Sequence, residues 1–489
     1  MTEYSPNTPV LVGVAAVQQK VDDYRQALEP VALMEQALRD AAADAGSSEL
    51  LRRADEILVP KSLWGYSDPG RILADALGAE SATTLLAEFG ILQQSLLTRA
   101  CQRIAAGETQ VVLVAGGEAR HRSQCAGRAK EEASETQQVD VDPDILLRPE
   151  DEMWSSVETD SGLGMPVGYY AILDSALRYK QGLSLEQHRD QMARMYSRLS
   201  ELAADNPDAW AEAPVSAAHI REHSASNRML AFPYTKLHNS QWNVDQAAGL
   251  ILCSAGVAEE LGIDPGKWVF PLAATESNFM SVVASRKDLG ASPGFRIAGQ
   301  VLMELAGISF NDISLCELYS CFPCAIRVQL EEFGLDPQCD VSVTGGMTFG
   351  GGPLNNFVFQ ATVKMAELLR QNPAEIGLVS TVSGLLTKQA CALWSASPGA
   401  GGWAFADVTE QVREVSEVCG LVAGYRGTGS VAGYTVIYQG SDPWRAVAVF
   451  DLPGGERTVA YSEDAHVMES MLSRECCGFS YQLAEGKFQ

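Results

Sequence analysis

The chain has 489 residues, which is enough for two or three domains and a large hydrophobic core. It is strongly acidic, because 62 Asp and Glu residues outnumber 36 Lys and Arg residues and give a formal net charge of −26. This charge disfavours a nucleic-acid partner, since affinity for phosphate backbones depends on clustered cations. A single anionic small molecule remains an acceptable ligand.

The N-terminus and the cysteines indicate the compartment. The first residues, MTEYSPNTPV, contain neither the basic stretch nor the apolar core of a signal peptide, and no apolar run approaches the length of about 18 residues that a membrane span needs. Of the 11 cysteines, Cys321 and Cys324 form one C-F-P-C unit, which has no second pair at metal-ligand spacing. We therefore predict a cytoplasmic protein with reduced thiols, no membrane span and no metal site.

The N-terminal part of the chain alternates buried strands with amphipathic helices. The apolar run from Pro9 to Val17 predicts a strand buried on both faces, and a helix is predicted from Pro30 to its closing Gly46. Shorter signals predict a strand at 57–59, a helix at about 90–106 and a strand at 111–115. This order favours an α/β fold with a mostly parallel sheet and helices on both faces.

The pattern changes between about residues 121 and 239, where charged runs and long amphipathic stretches such as 185–204 predict a helical excursion from the sheet. Buried strands then return in a second cycle. Its predicted elements are a strand at 248–254, a strand at 313–318, a helix at 324–333, a glycine-rich turn, a helix to Leu369 and a strand at 376–381. The helix–turn–strand segments ending in VVLVAGG and IGLVSTVSG are built alike, so we predict a duplicated βα architecture.

The glycine-rich turn, VTGGMTFGGGP at 343–353, is the most distinctive segment. Its glycines are Gly345, Gly346, Gly350, Gly351 and Gly352. Glycine allows backbone conformations that side chains forbid, so the amides of this turn and of a helix starting after Pro353 are predicted to cradle an anion or an oxyanion. The alternative is that the glycines only pack a tight turn against a sheet. The lysine of nucleotide-binding loops is absent, so the turn is not expected to bind a nucleotide phosphate.

Beyond about residue 400 the sequence pattern changes again. After the linker candidate GAGGW, short β-rich runs separated by turns predict a small all-β module, barrel-like or sandwich-like. The strand candidates lie at 431–438, 446–452, 457–461 and 479–483.

Four segments in this order resemble the thiolase superfamily, nearest its sterol-carrier-protein-thiolase-like branch. They are VVLVAGGEA at 111–119, CELYSCFP at 316–323, GGMTFGGGP at 345–353 and SGLLTKQACALWSASP at 383–398. The resemblance covers about residues 8–400, and a β-rich tail after a thiolase domain looks most like the thiolase-like proteins of type 1.

The resemblance implies a duplicated thiolase fold, with two βα halves in α-β-α-β-α layers. The implied division places the core halves at 1–120 and 240–400 and the loop excursion at 121–239. An additional antiparallel, barrel-like β domain is expected at 405–489.

The family condenses or cleaves acyl-CoA thioesters, and the resemblance implies where its catalytic groups would lie. A cysteine at a helix N-terminus takes the acyl group, and the matching position here is Gly90. The histidine of a G-H-P turn matches Gly352, and the second cysteine, which moves a proton, matches Thr381 to Ser383. Cys101 is the nearest thiol to the first position, but it lies well inside the predicted helix.

The remaining family motif, H-D-C-F, reads Tyr319-Ser320-Cys321-Phe322 in this chain. No histidine occurs between His238 and His466, so the second half of the implied thiolase domain supplies no imidazole base. Tyr319, Ser320 and Cys321 are therefore the candidate catalytic residues, and the five glycines of the turn are the candidate CoA-binding residues.

We expect a protein related to acyl-CoA acyltransferases that binds CoA or an acyl-CoA as a ligand or substrate, without a covalently bound cofactor and without ordinary thiolase activity. One alternative is an acyl-CoA carbon–carbon lyase or acyltransferase in which Tyr319 is an acid or base, against the simpler role of Tyr319 as a packing residue. Another is an interaction or scaffold protein that works through the β-rich tail. Either a monomer or a thiolase-type dimer is compatible with the sequence.

Overall fold

The computed structural model describes residues 4–489. Its strands are β1 Pro9–Gln18, β2 Glu56–Pro60, β3 Thr83–Ala87, β4 Val111–Ala119, β5 Ile145–Leu147, β6 Met229–Ala231, β7 Tyr234–Thr235, β8 Asp245–Ser254, β9 Phe270–Ser277, β10 Leu315–Glu317, β11 Ile376–Ser383, β12 Lys388–Ser395, β13 Ala404–Asp407, β14 Gly427–Gln439, β15 Asp442–Asp451, β16 Arg457–Ser462, β17 Ser480–Ala484 and β18 Lys487–Phe488. Its α-helices are α1 Pro30–Ala45, α2 Glu49–Arg52, α3 Pro69–Leu77, α4 Gln93–Ala105, α5 Arg120–Arg128, α6 Ser156–Asp160, α7 Pro166–Lys180, α8 Leu185–Ala204, α9 Ala217–Arg221, α10 Ala255–Glu260, α11 Pro293–Ala306, α12 Pro323–Phe333, α13 Gly346–Phe349, α14 Phe357–Gln371, α15 Thr409–Val415 and α16 Ala465–Ser473.

Two mixed sheets form the centre of the molecule. The first has the order β1-β8-β4-β2-β3-β5, in which β8 runs antiparallel to both of its neighbours and the other pairs are parallel. The second has the order β10-β11-β12-β9-β13, with antiparallel pairs on both sides of β12. The predicted mostly parallel arrangement therefore describes the first sheet apart from β8, and the second sheet is mixed.

Helices cover the outer faces of both sheets and fill the space between them. One apolar core packs α1 and α3 on the first sheet, and a second core packs α11 and α12 on the second sheet. A third core contains α4 and α14 together with buried residues of both sheets, so these two helices form the middle layer. This confirms the predicted α-β-α-β-α layering.

The C-terminal strands close into a five-stranded barrel in the order β14-β15-β16-β18-β17, because β14 pairs with both β15 and β17. The barrel form of the predicted all-β module is therefore the observed one. Through Ile437 and Ala231, β14 also pairs with β6, which belongs to the excursion at 121–239. The predicted tail boundary at 405 falls within β13, which pairs with β9 of the second sheet. The division into domains stays a prediction.

Element boundaries near the glycine-rich turn differ from those predicted. Helix α4 begins at Gln93 rather than Gly90, because Gly90 has a left-handed φ of 98°. Helix α14 begins at Phe357, four residues after Pro353, since Leu354 also has positive φ and interrupts the helical path. No helix among residues 4–489 is long and apolar enough to cross a membrane.

Candidate functional site

The elements that carry the thiolase motif positions contact one another through neighbouring residues. Gln93, the first residue of α4, donates from Nε2 to the Leu354 carbonyl at 3.4 Å and accepts from the Val358 amide at 2.9 Å. Lys388 at the start of β12 donates from Nζ to the Gly90 carbonyl at 3.1 Å. The loop before α4, the loop before α14 and β12 are thus joined directly.

The position expected for the nucleophile carries no reactive group. A Cβ built on Gly90 would lie 2.9 Å from Cγ of Pro149, in the loop after β5, so neighbouring atoms already occupy the place where a side chain would begin. The nearest thiol, Cys101, is buried in the middle layer, and burial raises the pKa of that thiol far above its usual range. The structure therefore provides no thiolate at this position.

The amides of the glycine-rich turn already donate to acceptors within the protein. The buried Glu317 carboxylate accepts from the amides of Val343 and Thr344 at 2.8 and 2.9 Å. The Ser342 hydroxyl accepts from the amides of Gly345 and Gly346, both at 2.9 Å. An acidic side chain of the same chain thus lies in the anion-binding concavity that the turn forms.

Close packing accounts for several glycines of this turn. A Cβ on Gly345 would lie 2.6 Å from the backbone of Ala203 in α8, and a Cβ on Gly351 would lie 2.0 Å from Oε1 of Gln246. The amides of Gly350 and Gly352 donate to carbonyls of Gly346 and Gln241 at 2.7 and 2.9 Å. Cofactor binding by the five glycines stays a prediction, while the observed contacts are those of a tightly packed turn.

The three candidate catalytic residues lie beside this turn, at the end of β10. The Tyr319 ring packs edge-on against Phe357, and burial raises the pKa of its phenol far above the usual range. Ser320 accepts a hydrogen bond from the Met347 amide at 3.0 Å, and burial raises the pKa of Cys321 to about 12. Tyr319 and Cys321 are therefore protonated at neutral pH, and their catalytic roles stay predictions.

A buried lysine at this site was not singled out from the sequence. Lys388 is 3% exposed and pairs with Ser383 in the β11–β12 ladder, so it lies opposite a position that matches the second family cysteine. Burial lowers the pKa of Lys388, against the opposing effect of the Asp151, Glu150 and Glu276 carboxylates. Its sequence signal is a charge at the start of the largely apolar strand KQACALWS.

Polar groups without partners also surround the site. Asn356, Gln94 and Thr381 are buried, and each has at least one side-chain oxygen with no hydrogen-bond partner among residues 4–489; the side-chain nitrogen of Asn356 also has none there. They belong to the loop before α14, to α4 and to β11, the elements that carry the motif positions. Because a buried unpaired polar atom costs about 1–3 kcal/mol, these groups favour a polar ligand at this site.

A groove of about 1080 Å³ lies between α8 and the end of α12 with the segment that follows it. Arg194, Met195 and Arg198 of α8 line one side, and Leu330, Gly334 and Cys339 line the other. Arg198 is paired with Asp340, whereas the exposed Arg194 has no ion pair among the described residues. The groove size is that of sites for small organic ligands.

No protein-family model matches the chain. A monomeric SCP2-thiolase-like protein type 1 from Mycobacterium smegmatis has the same fold over its whole length, with a TM-score of 0.84, 25% identity and 99% of each chain covered. The chain has the thiolase fold and is similar to proteins of the SCP2-thiolase-like branch of the thiolase superfamily.

Two further proteins place this thiolase-like chain among its relatives. The acetyl-CoA acetyltransferase of Methanothermobacter thermautotrophicus is 23% identical over 338 residues, which cover 64% of this chain and 80% of the relative. An Ltp2–ChsH2(DUF35) aldolase shares the fold with a TM-score of 0.59 and 18% identity, over 80% of this chain and 98% of the other. The resemblance predicted from the sequence motifs is confirmed.

Proposed function

We propose that this thiolase-like protein binds CoA or an acyl-CoA thioester and has no ordinary thiolase activity. The loss of thiolase activity is inferred from the packing of Pro149 at the place where a side chain on Gly90 would begin. Without a nucleophile at this position no acyl-enzyme forms. The protonated states of Tyr319 and Cys321 support it further. Loss of a general base alone typically lowers a rate by about 10²–10⁴-fold.

The binding half of the proposal is supported by the relative named acetyl-CoA acetyltransferase and by the polar groups of the site. We propose that the thioester end of the ligand meets the unpaired groups of Asn356, Gln94 and Thr381. We propose the α8 groove, whose lining is separate from these three residues, as the contact for the phosphate end, because the Arg194 guanidinium there has no ion pair among the described residues. Guanidinium groups bind phosphate with two parallel hydrogen bonds, which suits this end of the ligand.

The proposal includes a monomeric, cytoplasmic protein. The three-residue strand β5 pairs along the outer side of β3, so the longer strand β3 is not free for pairing with a second copy. The Mycobacterium smegmatis relative is described as monomeric. The cysteines form no disulfide in the structure, which fits a reducing compartment.

The test is calorimetric titration with CoA, acetyl-CoA and a medium-chain 3-ketoacyl-CoA, run beside a thiolysis assay on the same preparation. We expect binding without turnover. Arg194→Gln should weaken CoA binding by about 10- to 100-fold, because a hydrogen bond to a charged group contributes about 1.5–3 kcal/mol.

Arg413→Gln, an exposed arginine on α15, is the matched control and should bind CoA as the wild type does. Absence of binding to every thioester would refute the binding proposal. Thiolysis that is blocked by iodoacetamide would refute the loss of activity and would mean that another cysteine replaces Gly90.

A second candidate function, an acyl-CoA carbon–carbon lyase, is favoured by Lys388. A buried amine with a lowered pKa can act as a base, whereas the protonated phenol of Tyr319 can only donate. The Lys388 amine would take the hydroxyl proton of a 3-hydroxyacyl-CoA as its C2–C3 bond breaks. This yields a carbonyl compound and a thioester enolate, which then takes up a proton.

The lyase is tested by following release of the carbonyl product from 3-hydroxyacyl-CoA substrates. Lys388→Met should lower the rate at least about 10²-fold, and the exposed Lys130→Met should not change it. Unchanged cleavage in Lys388→Met would exclude Lys388 as the base, and unchanged cleavage in Tyr319→Phe would exclude an acid–base role for Tyr319.

A further inference from the structure

A separate cluster of reactive side chains lies outside the thiolase motif positions. Asp22 belongs to the loop between β1 and α1, and His121 and Cys125 belong to α5. One ligand atom from each residue lies within 4.8 Å of the other two, and Nε2 of His121 is 3.8 Å from Sγ of Cys125. The three residues combine a carboxylate, an imidazole and a thiol.

The local fold explains why these residues meet. His121 and Cys125 are four residues apart on α5, so their side chains share one face of the helix. The β1–α1 loop is held against this helix by Arg122, which donates from Nε to the Ala27 carbonyl at 3.1 Å. Tyr24 of the same loop packs in an apolar cluster with Cys125. Asp22 is thereby brought to α5 from a part of the sequence about one hundred residues away.

The imidazole of His121 is oriented by its surroundings. Its Nδ1 is buried and lies 3.9 Å from Oδ2 of Asp245, a fully buried carboxylate at the start of β8. The Trp210 ring packs edge-on against the imidazole, with 5.5 Å between the ring centres. With Nδ1 facing a carboxylate, Nε2 faces the Cys125 sulfur. A histidine that binds metal through one nitrogen usually donates a hydrogen bond from the other. Nδ1 of His121 has no hydrogen-bond partner among residues 4–489, and the Asp245 carboxylate lies beyond hydrogen-bond distance but on the side where such a partner would lie.

We propose that Asp22, His121 and Cys125 bind one Zn²⁺ ion. Thiolate and imidazole ligands suit Zn²⁺, whereas Ca²⁺ and Mg²⁺ take oxygen ligands. In tetrahedral zinc sites with Zn–S of about 2.3 Å and Zn–N of about 2.0 Å, the sulfur and the nitrogen are about 3.5 Å apart. The observed separation of 3.8 Å is close to this value. Binding converts the Cys125 thiol to a thiolate and releases its proton to water.

The bound ion would join the β1–α1 loop to α5. Three protein ligands leave the fourth tetrahedral position to a water molecule. Helix α5 follows β4 directly and is the first element of the predicted excursion at 121–239. The ion would therefore hold the chain in position where it leaves the first sheet. Since Zn²⁺ binds the folded arrangement, it should also stabilise this part of the protein.

The test is titration of the metal-free full-length chain with Co²⁺, followed by competition with Zn²⁺. We expect one Co²⁺ per chain, a thiolate-to-cobalt charge-transfer band, the intense visible absorption of tetrahedral Co²⁺, and displacement by one Zn²⁺. Cys125→Ser should remove the charge-transfer band. His121→Gln and Asp22→Asn should each weaken Co²⁺ binding at least tenfold.

Cys419→Ser, a partly buried thiol elsewhere in the chain, is the matched control and should leave the spectrum unchanged. A charge-transfer band that persists in Cys125→Ser would refute the site, as would Co²⁺ binding without such a band in the wild type. Asp22 is exposed, so Asp22→Asn tests the proposal even where the buried substitutions disturb folding. Equal Co²⁺ affinity in Asp22→Asn and wild type would remove Asp22 from the ligand set.

Discussion

At the scale of single residues, His238 shows how burial decides a side chain's chemistry. It is 2% exposed, and its Nδ1 accepts a hydrogen bond from the Thr235 amide at 3.2 Å. Burial lowers its pKa from 6.5 to about 3. The unfolded chain therefore binds this proton at a higher pH than the folded chain, and stability falls as the pH drops below about 6.5. Between pH 7.5 and pH 5 the loss from His238 should be about 2 kcal/mol.

Urea unfolding of the wild type and of His238→Gln at these two pH values measures this effect. The variant should lose about 2 kcal/mol less on acidification than the wild type. His466→Gln, the same substitution at an exposed histidine, is the control for the change of side chain itself. An identical loss in the wild type and His238→Gln would show that His238 is not the group responsible.

At the scale of elements, the glycine-rich turn and α8 are held together by close backbone approach. Gly345 has a φ of 92°, and a Cβ there would also meet the Ala203 backbone at 2.6 Å. Gly46, which ends α1, has a similar φ of 81° but open space around it. Gly46→Ala should therefore cost only the conformational strain, about 1–2 kcal/mol. Gly345→Ala should cost at least about 3 kcal/mol, because the turn must also move away from α8.

The pair of substitutions separates strain from packing, since both replace a left-handed glycine by alanine. The measurement is the free energy of unfolding from urea titrations of each variant. Equal losses in the two variants would contradict the proposed close packing of the turn against α8.

At the scale of the whole molecule, a buried ion pair connects α7 to the C-terminal part of the chain. Arg178 is fully buried, and its Nε and Nη2 donate to the two carboxylate oxygens of Glu475 at 2.9 and 3.1 Å. Nη2 also donates to the Tyr434 hydroxyl of β14 at 3.1 Å. Removing Glu475 leaves the fully buried Arg178 charge uncompensated, so Glu475→Gln should cost about 3–5 kcal/mol. The double variant Arg178→Met/Glu475→Gln should cost less than this single variant.

Chemical denaturation followed by tryptophan fluorescence and far-UV circular dichroism tests this prediction. We expect both probes to report one transition, because the contacts between α7 and the barrel strand β14 are buried. Arg426→Met, which breaks the exposed pair with Glu485, is the control and should cost less than about 1 kcal/mol. Two separate transitions would show that the barrel unfolds on its own, as a tail acting as an independent interaction module would.

Local patterns in the sequence were enough to predict the class of fold and most of its elements. The run at Pro9–Val17, the helix from Pro30 and the helix at 185–204 were predicted almost to the residue, because apolar periodicity and end signals are properties of adjacent residues. The four predicted C-terminal strands all exist, but the starts of β14 and β15 were placed four residues too late and β18 was not predicted. Several strands, among them β3, β9 and β12, were not predicted, since short apolar runs without distinct boundaries can belong to either a strand or a buried helix.

Tertiary structure decided which groups meet and in which protonation state. The sequence identified Gly90 as the position of a missing nucleophile, but only packing from a distant loop showed Pro149 in its place. The same holds for the buried amine of Lys388 and the buried carboxyl of Glu317, whose hydrogen-bond partners lie 25 or more residues away in the sequence. Asp22 likewise reaches His121 and Cys125 only through folding, whereas these two are neighbours on α5. A sequence motif identifies residues that are close along the chain. The burial and the charge around a site depend on distant segments that only folding brings together, so a motif does not predict them.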